Sequence, residues 1–320
     1  MAHAAEGPAV TDPAKADADF AIQGEYAGQL RTGEGSGGKF GLQVIAKGEG
    51  KFEAVLYKGG LPGDGAKRGD EVIKMTGKTE DGATTLTGTV EPEKKIPAGN
   101  YTATLKKGDF AFKGPVADRI GRVKKVERKS PTLGAKAPEG AVILFDGTNA
   151  DAWNKGKVVD EDLLNIGVMS KQDFKDFTLH MEFKTPYMPA ASGQGRGNSG
   201  LYLQNRYELQ ILDSFGLNGE NNECGGFYQI AKPDVNMCFP PLAWQTYDID
   251  FTGARFDDKG NKTAKAKAKI KHNGVVIHDI ELPNITPGGA STEAPGQGPF
   301  ALQDHGNPVR FRNIWVVEKK

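Results

Sequence analysis

The stretch Asn198-Ser199-Gly200-Leu201-Tyr202-Leu203-Gln204-Asn205-Arg206-Tyr207-Glu208-Leu209-Gln210-Ile211-Leu212-Asp213 decides how this chain is read. Two short apolar runs flank the polar bend Gln204-Asn205-Arg206, which is the pattern of a β-hairpin. Side chains alternate along a strand, so Tyr207, Leu209 and Ile211 fall on one face, with Glu208 and Gln210 on the other. A carboxylate and a carboxamide two residues apart, with Asp213 just beyond, can line a polar groove. An exposed polar strand face is the alternative.

The same period of two continues outward from the hairpin. In the run from Phe174 to Lys184, Phe177, Leu179, Met181 and Phe183 alternate with Thr178, His180 and Glu182, which puts His180 opposite the core set, at the surface. Ala141 to Gly147 opens this half as a strand and turn, and Trp244 to Phe251 reads as a further strand. Ala266 to Ile277 holds the hairpin signal Asn273-Gly274, and Phe300 to Gly306 and Val309 to Val317 close the series. Trp153, Trp244 and Trp315 all fit core positions beside apolar neighbours. Long loops, Pro186 to Gly197 and Ser214 to Pro241, intervene. No stretch sustains a 3.6-residue apolar period, although Gly156 to Met169 could hold a short helix. Many short strands with long loops predict an all-β, two-sheet jelly-roll β-sandwich over residues 141–320.

Upstream, residues 1–19 are small, charged and Pro-containing, and read as a loose lead-in. From 20 to 128, short apolar runs about ten residues apart, with Gly at most bends, predict a small antiparallel β domain. Gly59 to Gly65 lacks the Lys-Ser/Thr and helix of a phosphate loop and is a plain loop. The basic run Arg119 to Lys129 reads as a solvated strand and exit, and the Pro- and Gly-containing 129–140 as an interdomain linker.

Lys and Arg total 41 and Asp and Glu total 41, and this balance argues against a nucleic-acid or anionic-membrane partner held by bulk electrostatics. No run approaches the ~20 apolar residues of a membrane helix, so a soluble chain is expected. The start, Met1-Ala2-His3-Ala4-Ala5, looks like the small-residue end of a signal peptide already removed, and predicts an exported protein, periplasmic or extracellular. The two cysteines, Cys224 and Cys238, match no zinc spacing. In an exported protein they would form a disulfide around a loop of about 13 residues, worth ~2–3 kcal/mol; two buried free thiols are the alternative.

Several segments taken together resemble one family. They are Leu144-Phe145-Asp146-Gly147 with Trp153, Asp176-Phe177-Thr178-Leu179 with Glu182-Phe183, Gly197-Asn198-Ser199-Gly200-Leu201-Tyr202, and Tyr207-Glu208-Leu209-Gln210-Ile211-Leu212-Asp213. Trp244-Gln245-Thr246-Tyr247-Asp248, His272-Asn273-Gly274, and Gln303-Asp304-His305-Gly306 running into Val309-Arg310-Phe311-Arg312-Asn313-Ile314 follow in order. Over about 140–318 the chain resembles the 3-keto-disaccharide hydrolase domain family. Leu242-Ala243 stands before Trp244 where that family more often has Gly-Glu, and Gly253 to Lys269 is Lys- and Ala-rich and looks extended.

The resemblance implies a concanavalin A-like jelly roll acting on glycosides already oxidised at C3. The C3 carbonyl acidifies C2–H, so a positioned base can form the enolate and the C1 substituent can leave when an acid protonates it. Hydration of the enone gives net hydrolysis; without it the enzyme is a lyase. On this reading Glu208 is the first candidate base and Asp213 the second, with His305 as acid or substrate binder. Gln210, Gln303, Arg310 and Arg312 would supply hydrogen-bond donors, and Asn198 and Tyr202 would shape the groove. A two-carboxylate glycosidase using Glu208 and Asp213, and a non-catalytic carbohydrate-binding protein, are the competing readings. Glu208, Asp213 and His305 could together bind a divalent cation such as calcium, although no spacing demands one. The chemistry implies a sugar 3-dehydrogenase as functional partner.

Overall fold

A computed structural model describes residues 8–33, 37–290 and 292–319. The chain is all-β, as its turn-rich sequence predicts, and holds a closed barrel followed by a two-sheet sandwich. Eight antiparallel strands from Gly24–Leu30 to Ala117–Val126 form the barrel, and the last closes onto the first through Glu25↔Val126. The period of two fills its interior: in Lys51–Lys58, Phe52, Ala54 and Leu56 point inward while Lys51 and Glu53 point out. A closed barrel leaves no strand edge to be covered.

The larger sheet of the sandwich has Asp176–Lys184 at its centre, paired with Gln245–Thr252 on one side and Arg310–Glu318 on the other. Ala266–His272 and Val275–Leu282 extend it, joined by a turn with Asn273 and Gly274 at φ 49° and 81°. The smaller sheet runs Trp153–Asn154, Val168–Ser170, Ala301–Leu302, Ser199–Leu203, Tyr207–Ile211. Phe177, Leu179, Met181 and Phe183 from the first sheet meet Leu201, Leu209, Ile211 and Leu302 from the second. The predicted hairpin forms, with Gln204 and Asn205 in the left-handed region at φ 55° and 53°. Gly156 to Met169, where a short helix was conceivable, instead makes the short strands Val158–Val159, Leu163–Leu164 and the start of Val168–Ser170.

Other expectations change. Residues 1–7 of the lead-in lie outside the described residues, but 8–19 are not loose: Val10 and Tyr187 exchange two backbone hydrogen bonds, and Asp17 caps a short helix while accepting from Tyr187 Oη at 2.8 Å. His180 does face away from the core, yet it is buried. The 129–140 segment is a strap across that outer face: Thr132 Oγ1 donates to Asp248 at 2.6 Å, Gly134 N to Glu182 at 2.5 Å, and Asn313 Nδ2 to Ala135 O at 3.0 Å. Beneath it His180 Nδ1 lies 2.6 Å from Asp248. Burial opposes the charge on His180, but Asp248 and Glu182 outweigh it and hold its pKa above the ordinary value. Trp153 is a core residue, whereas Trp244 and Trp315 lie on the outer face, under the Arg312 guanidinium and against His180.

Barrel and sandwich share core. Ile45 of the barrel packs in the sandwich cluster, and Tyr187 and Leu242 of the sandwich pack in the barrel cluster. From the basic run, Arg128 forks onto buried Glu25, with Nε to Oε2 at 2.7 Å, and its Cζ lies 5.2 Å from the Phe239 ring centroid.

Cys224 and Cys238 do not form the expected disulfide; both are buried free thiols. Hydrogen bonds clamp the loop in its place. Asn236 Nδ2 donates to Ser214 O at 2.8 Å, Cys224 N to Ser214 Oγ at 2.8 Å, and Cys238 N to Asn236 Oδ1 at 3.0 Å.

Candidate functional site

Because Leu201, Leu209 and Leu302 turn inward, their alternates Asn198, Gly200, Tyr202, Glu208, Gln210 and Gln303 share the outer face of the smaller sheet. Tyr202 and Glu208 are direct cross-strand partners, and Tyr202 Oη donates to Glu208 Oε2 at 2.8 Å. Gln303 Nε2 in turn donates to Tyr202 Oη at 3.3 Å. Gly200 lies under the carboxylate: a Cβ there would sit 2.4 Å from Glu208 Oε1. That oxygen makes no hydrogen bond to a described residue.

Glu208 is 3% exposed. Burial pushes its pKa up to about 7, against the opposing pull of the Tyr202 hydroxyl. Tyr202 itself is raised far above its ordinary value by burial, with Glu208 adding to the shift, so it remains a hydrogen-bond donor. Two more oxygens on this face, Asn198 Oδ1 and Gln303 Oε1, are buried without a hydrogen-bond partner among the described residues. Orphaned acceptors beside a desolvated carboxylate suit a ligand rich in hydroxyl donors.

Loops frame this floor. Gln194, from the Pro186 to Gly197 loop, accepts from Asn198 Nδ2 at 2.7 Å through its carbonyl and from Gln210 Nε2 at 3.3 Å through its side chain. Thr286 Oγ1 accepts from Glu208 N at 2.7 Å, and Gly288 lies so close to Tyr202 Oη that a Cβ would approach to 2.5 Å. Sequence reasoning missed Gln194, Gly200, Thr286 and Gly288. The pair Gly288-Gly289 was the available signal, since adjacent glycines mark close backbone approach.

The structure thus brings Asn198, Tyr202, Glu208, Gln210 and Gln303 together. His305 is exposed on a turn two residues beyond Gln303, and no described residue hydrogen-bonds its side chain; the turn is closed by Gly306 N donating to Asp304 at 2.8 Å. Three expected members lie elsewhere. Asp213 lies two residues past the end of the Tyr207–Ile211 strand that carries Glu208, and binds Arg196 Nε at 2.6 Å. Arg310 and Arg312 belong to the larger sheet and point outward from it, paired with Asp160 at 2.5 Å and Glu182 at 2.7 Å. They are on the opposite outer face of the sandwich from Glu208. Glu208, Asp213 and His305 do not form the suggested cation site: among the described residues no group of three His, Cys, Asp or Glu is placed to hold a metal ion.

A lectin-like sandwich with a desolvated carboxylate and orphaned amides on one outer face has the construction of a carbohydrate-active protein. The chain belongs to the 3-keto-alpha-glucoside-1,2-lyase-like domain family, whose model matches residues 140–317. A solved candidate glycosyl hydrolase from Parabacteroides distasonis is 31% identical over 57% of this chain and 85% of that one, with a TM-score of 0.51. A second from the same organism is 16% identical over 57% of this chain and 95% of that one, with a TM-score of 0.42. No curated protein matches the chain. The matched region is the sandwich, and the barrel lies outside it.

Proposed function

We propose that the protein cleaves 3-keto-glycosides by elimination across C1–C2. The observation that carries this reading is Glu208: a buried carboxylate with a pKa near 7, one oxygen held by Tyr202 and the other free. A base of that pKa takes a proton from an acidified C–H at neutral pH more readily than an ordinary glutamate would. Glu208 Oε1 removes the C2 proton, and the C2–H electrons form the enolate with C3. The enolate then expels the C1 substituent, whose oxygen receives a proton from His305. Water adding at C1 of the enone, with a proton returning to C2, completes net hydrolysis. Asn198 Oδ1 and Gln303 Oε1 accept hydroxyls of the sugar. The family description as 1,2-lyase-like supports elimination as the first event.

The two-carboxylate alternative lacks a free second carboxylate, because Asp213 is held by Arg196 at 2.6 Å. A 3-keto substrate requires a sugar 3-dehydrogenase to supply it. The test offers 3-keto-trehalose and 3-keto-lactose beside the unoxidised sugars, to the protein and to Glu208→Gln. Release of 3-keto-glucose from the oxidised sugars alone, lost in the variant, is the expected result. Saturable sugar binding with no turnover would instead make this a lectin.

A further inference from the structure

We propose that the seam between barrel and sandwich is a second ligand site, built for the carboxylate of an acidic sugar. Two adjoining hollows of about 390 and 400 Å³ lie along it. They share Val55, Lys74, Gly216 and Leu217 on their walls and so form one groove. Each alone falls in the ~300–1,000 Å³ range of small-molecule sites. The barrel strands Lys51–Lys58 and Val72–Glu80 make one wall, and sandwich residues from Ser192 to Arg196 and from Asp213 to Leu217 make the other.

Across the two hollows together the charges balance, five cations against five anions, and the unmatched positive charge is confined to the smaller one. Arg196 is 5% exposed, and its Nε is bound to Asp213, but its Nη2 is buried with no hydrogen-bond partner among the described residues. Lys74, exposed on the barrel wall, makes no ion pair or side-chain hydrogen bond among them either. Lys47 is only loosely held, 3.6 Å from Glu53. The smaller hollow therefore has three cations, Lys47, Lys74 and Arg196, against two anions, Glu53 and Asp213. A buried guanidinium nitrogen without an acceptor is unfavourable, and a carboxylate is the acceptor whose shape fits it best. Val55, Phe215 and Leu217 supply the apolar surface against which a sugar ring can lie.

The loop from Ser192 to Gly197 divides this groove from the Glu208 face: Gln194 bonds Asn198 and Gln210 on one side, and Arg196 bonds Asp213 on the other. The seam site needs residues from both halves of the chain, and its existence does not depend on the reaction assigned to Glu208.

Calorimetric titration of D-glucuronate into the full-length protein and into Glu208→Gln tests it, with D-glucose and acetate as comparisons. Saturable glucuronate binding of equal strength in both proteins is expected, with glucose and acetate at least tenfold weaker. Lys74→Ala, at an exposed position, should weaken glucuronate at least fivefold without moving Tm. Absence of binding, equal binding of glucose or acetate, indifference to Lys74→Ala, or loss of binding in Glu208→Gln would each overturn the proposal.

Discussion

The hydroxyl of Tyr202 donates across the hairpin to one oxygen of Glu208, leaving the other oxygen of a buried carboxylate free above Gly200. Desolvation raises the Glu208 pKa and the hydrogen bond restrains the rise, so base strength on this face is set by two opposed and separately removable effects. The kcat/KM for a 3-keto-glycoside should rise with pH through about 7 as Glu208 loses its proton. Tyr202→Phe should move that limb to higher pH, and a pH–rate profile of both proteins checks the direction.

The same raised pKa has a consequence for stability. A carboxyl with a folded pKa of about 7 against 4.5 unfolded binds more protons when folded between those values, so stability falls as pH rises through that window. Well above pH 7 the full cost of the buried charge is present, roughly 3 kcal/mol. Glu208→Gln should therefore melt higher than the parent at pH 8, with the difference gone near pH 4.5. Thermal melts at the two pH values decide it, and a lower Tm for the variant at pH 8 counts against the assigned burial.

Gly200 is needed for the space it leaves. A methyl there would stand 2.4 Å from Glu208 Oε1, and φ at this position is ordinary, so Gly200→Ala should displace the carboxylate with little backbone strain. Activity should drop at least a hundredfold while the urea midpoint changes little. Retained activity would mean that the free oxygen is not the reacting one.

Arg310, Arg312 and Asp213 should behave as structure. Arg310→Ala and Arg312→Ala should leave KM and kcat within about twofold. Arg312→Ala should also lower stability, since Glu182 is held near a pKa of 2 by its hydrogen bonds despite burial, with Arg312 among the donors. Asp213→Asn should cost about 3–5 kcal/mol by stranding the buried Arg196. Activity measured at low temperature on the folded fraction separates that loss from a catalytic one.

Both thiols should be counted after denaturation without reductant and be unreactive toward a thiol reagent in the native state, where burial pushes Cys238 well up. One mobility band with and without reductant is the matching result.

The hairpin and its polar face, with Glu208 and Gln210 on one side, could be read from the sequence because a period of two fixes which side chains share a face, whereas Asn198, Tyr202 and Gln303 are reached through the family resemblance. What alternation cannot fix is which sheet a strand joins. Arg310 and Arg312 alternate as outward residues just as Glu208 does, but on the other sheet, and only the strand pairing with Glu182 and Lys184 reveals it. His180 lies on the side of its strand that alternation predicts, and alternation cannot show its burial because the cover comes from residues 130–135, some 45 positions upstream. Asp213 follows the Glu208 strand in sequence but leaves its face once the strand ends at Ile211.

The strap over the larger sheet makes the sequence boundary of the family a poor place to cut the protein. A fragment beginning at 140 would keep every strand of the sandwich and lose Ser130, Thr132, Gly134 and Ala135, the groups that satisfy Thr246, Asp248, Glu182, Asn313 and Trp315. It would also lay open the apolar surface shared by Ile45, Tyr187 and Leu242. In this chain the family module and the set of residues over which its buried hydrogen bonds close are therefore of different lengths.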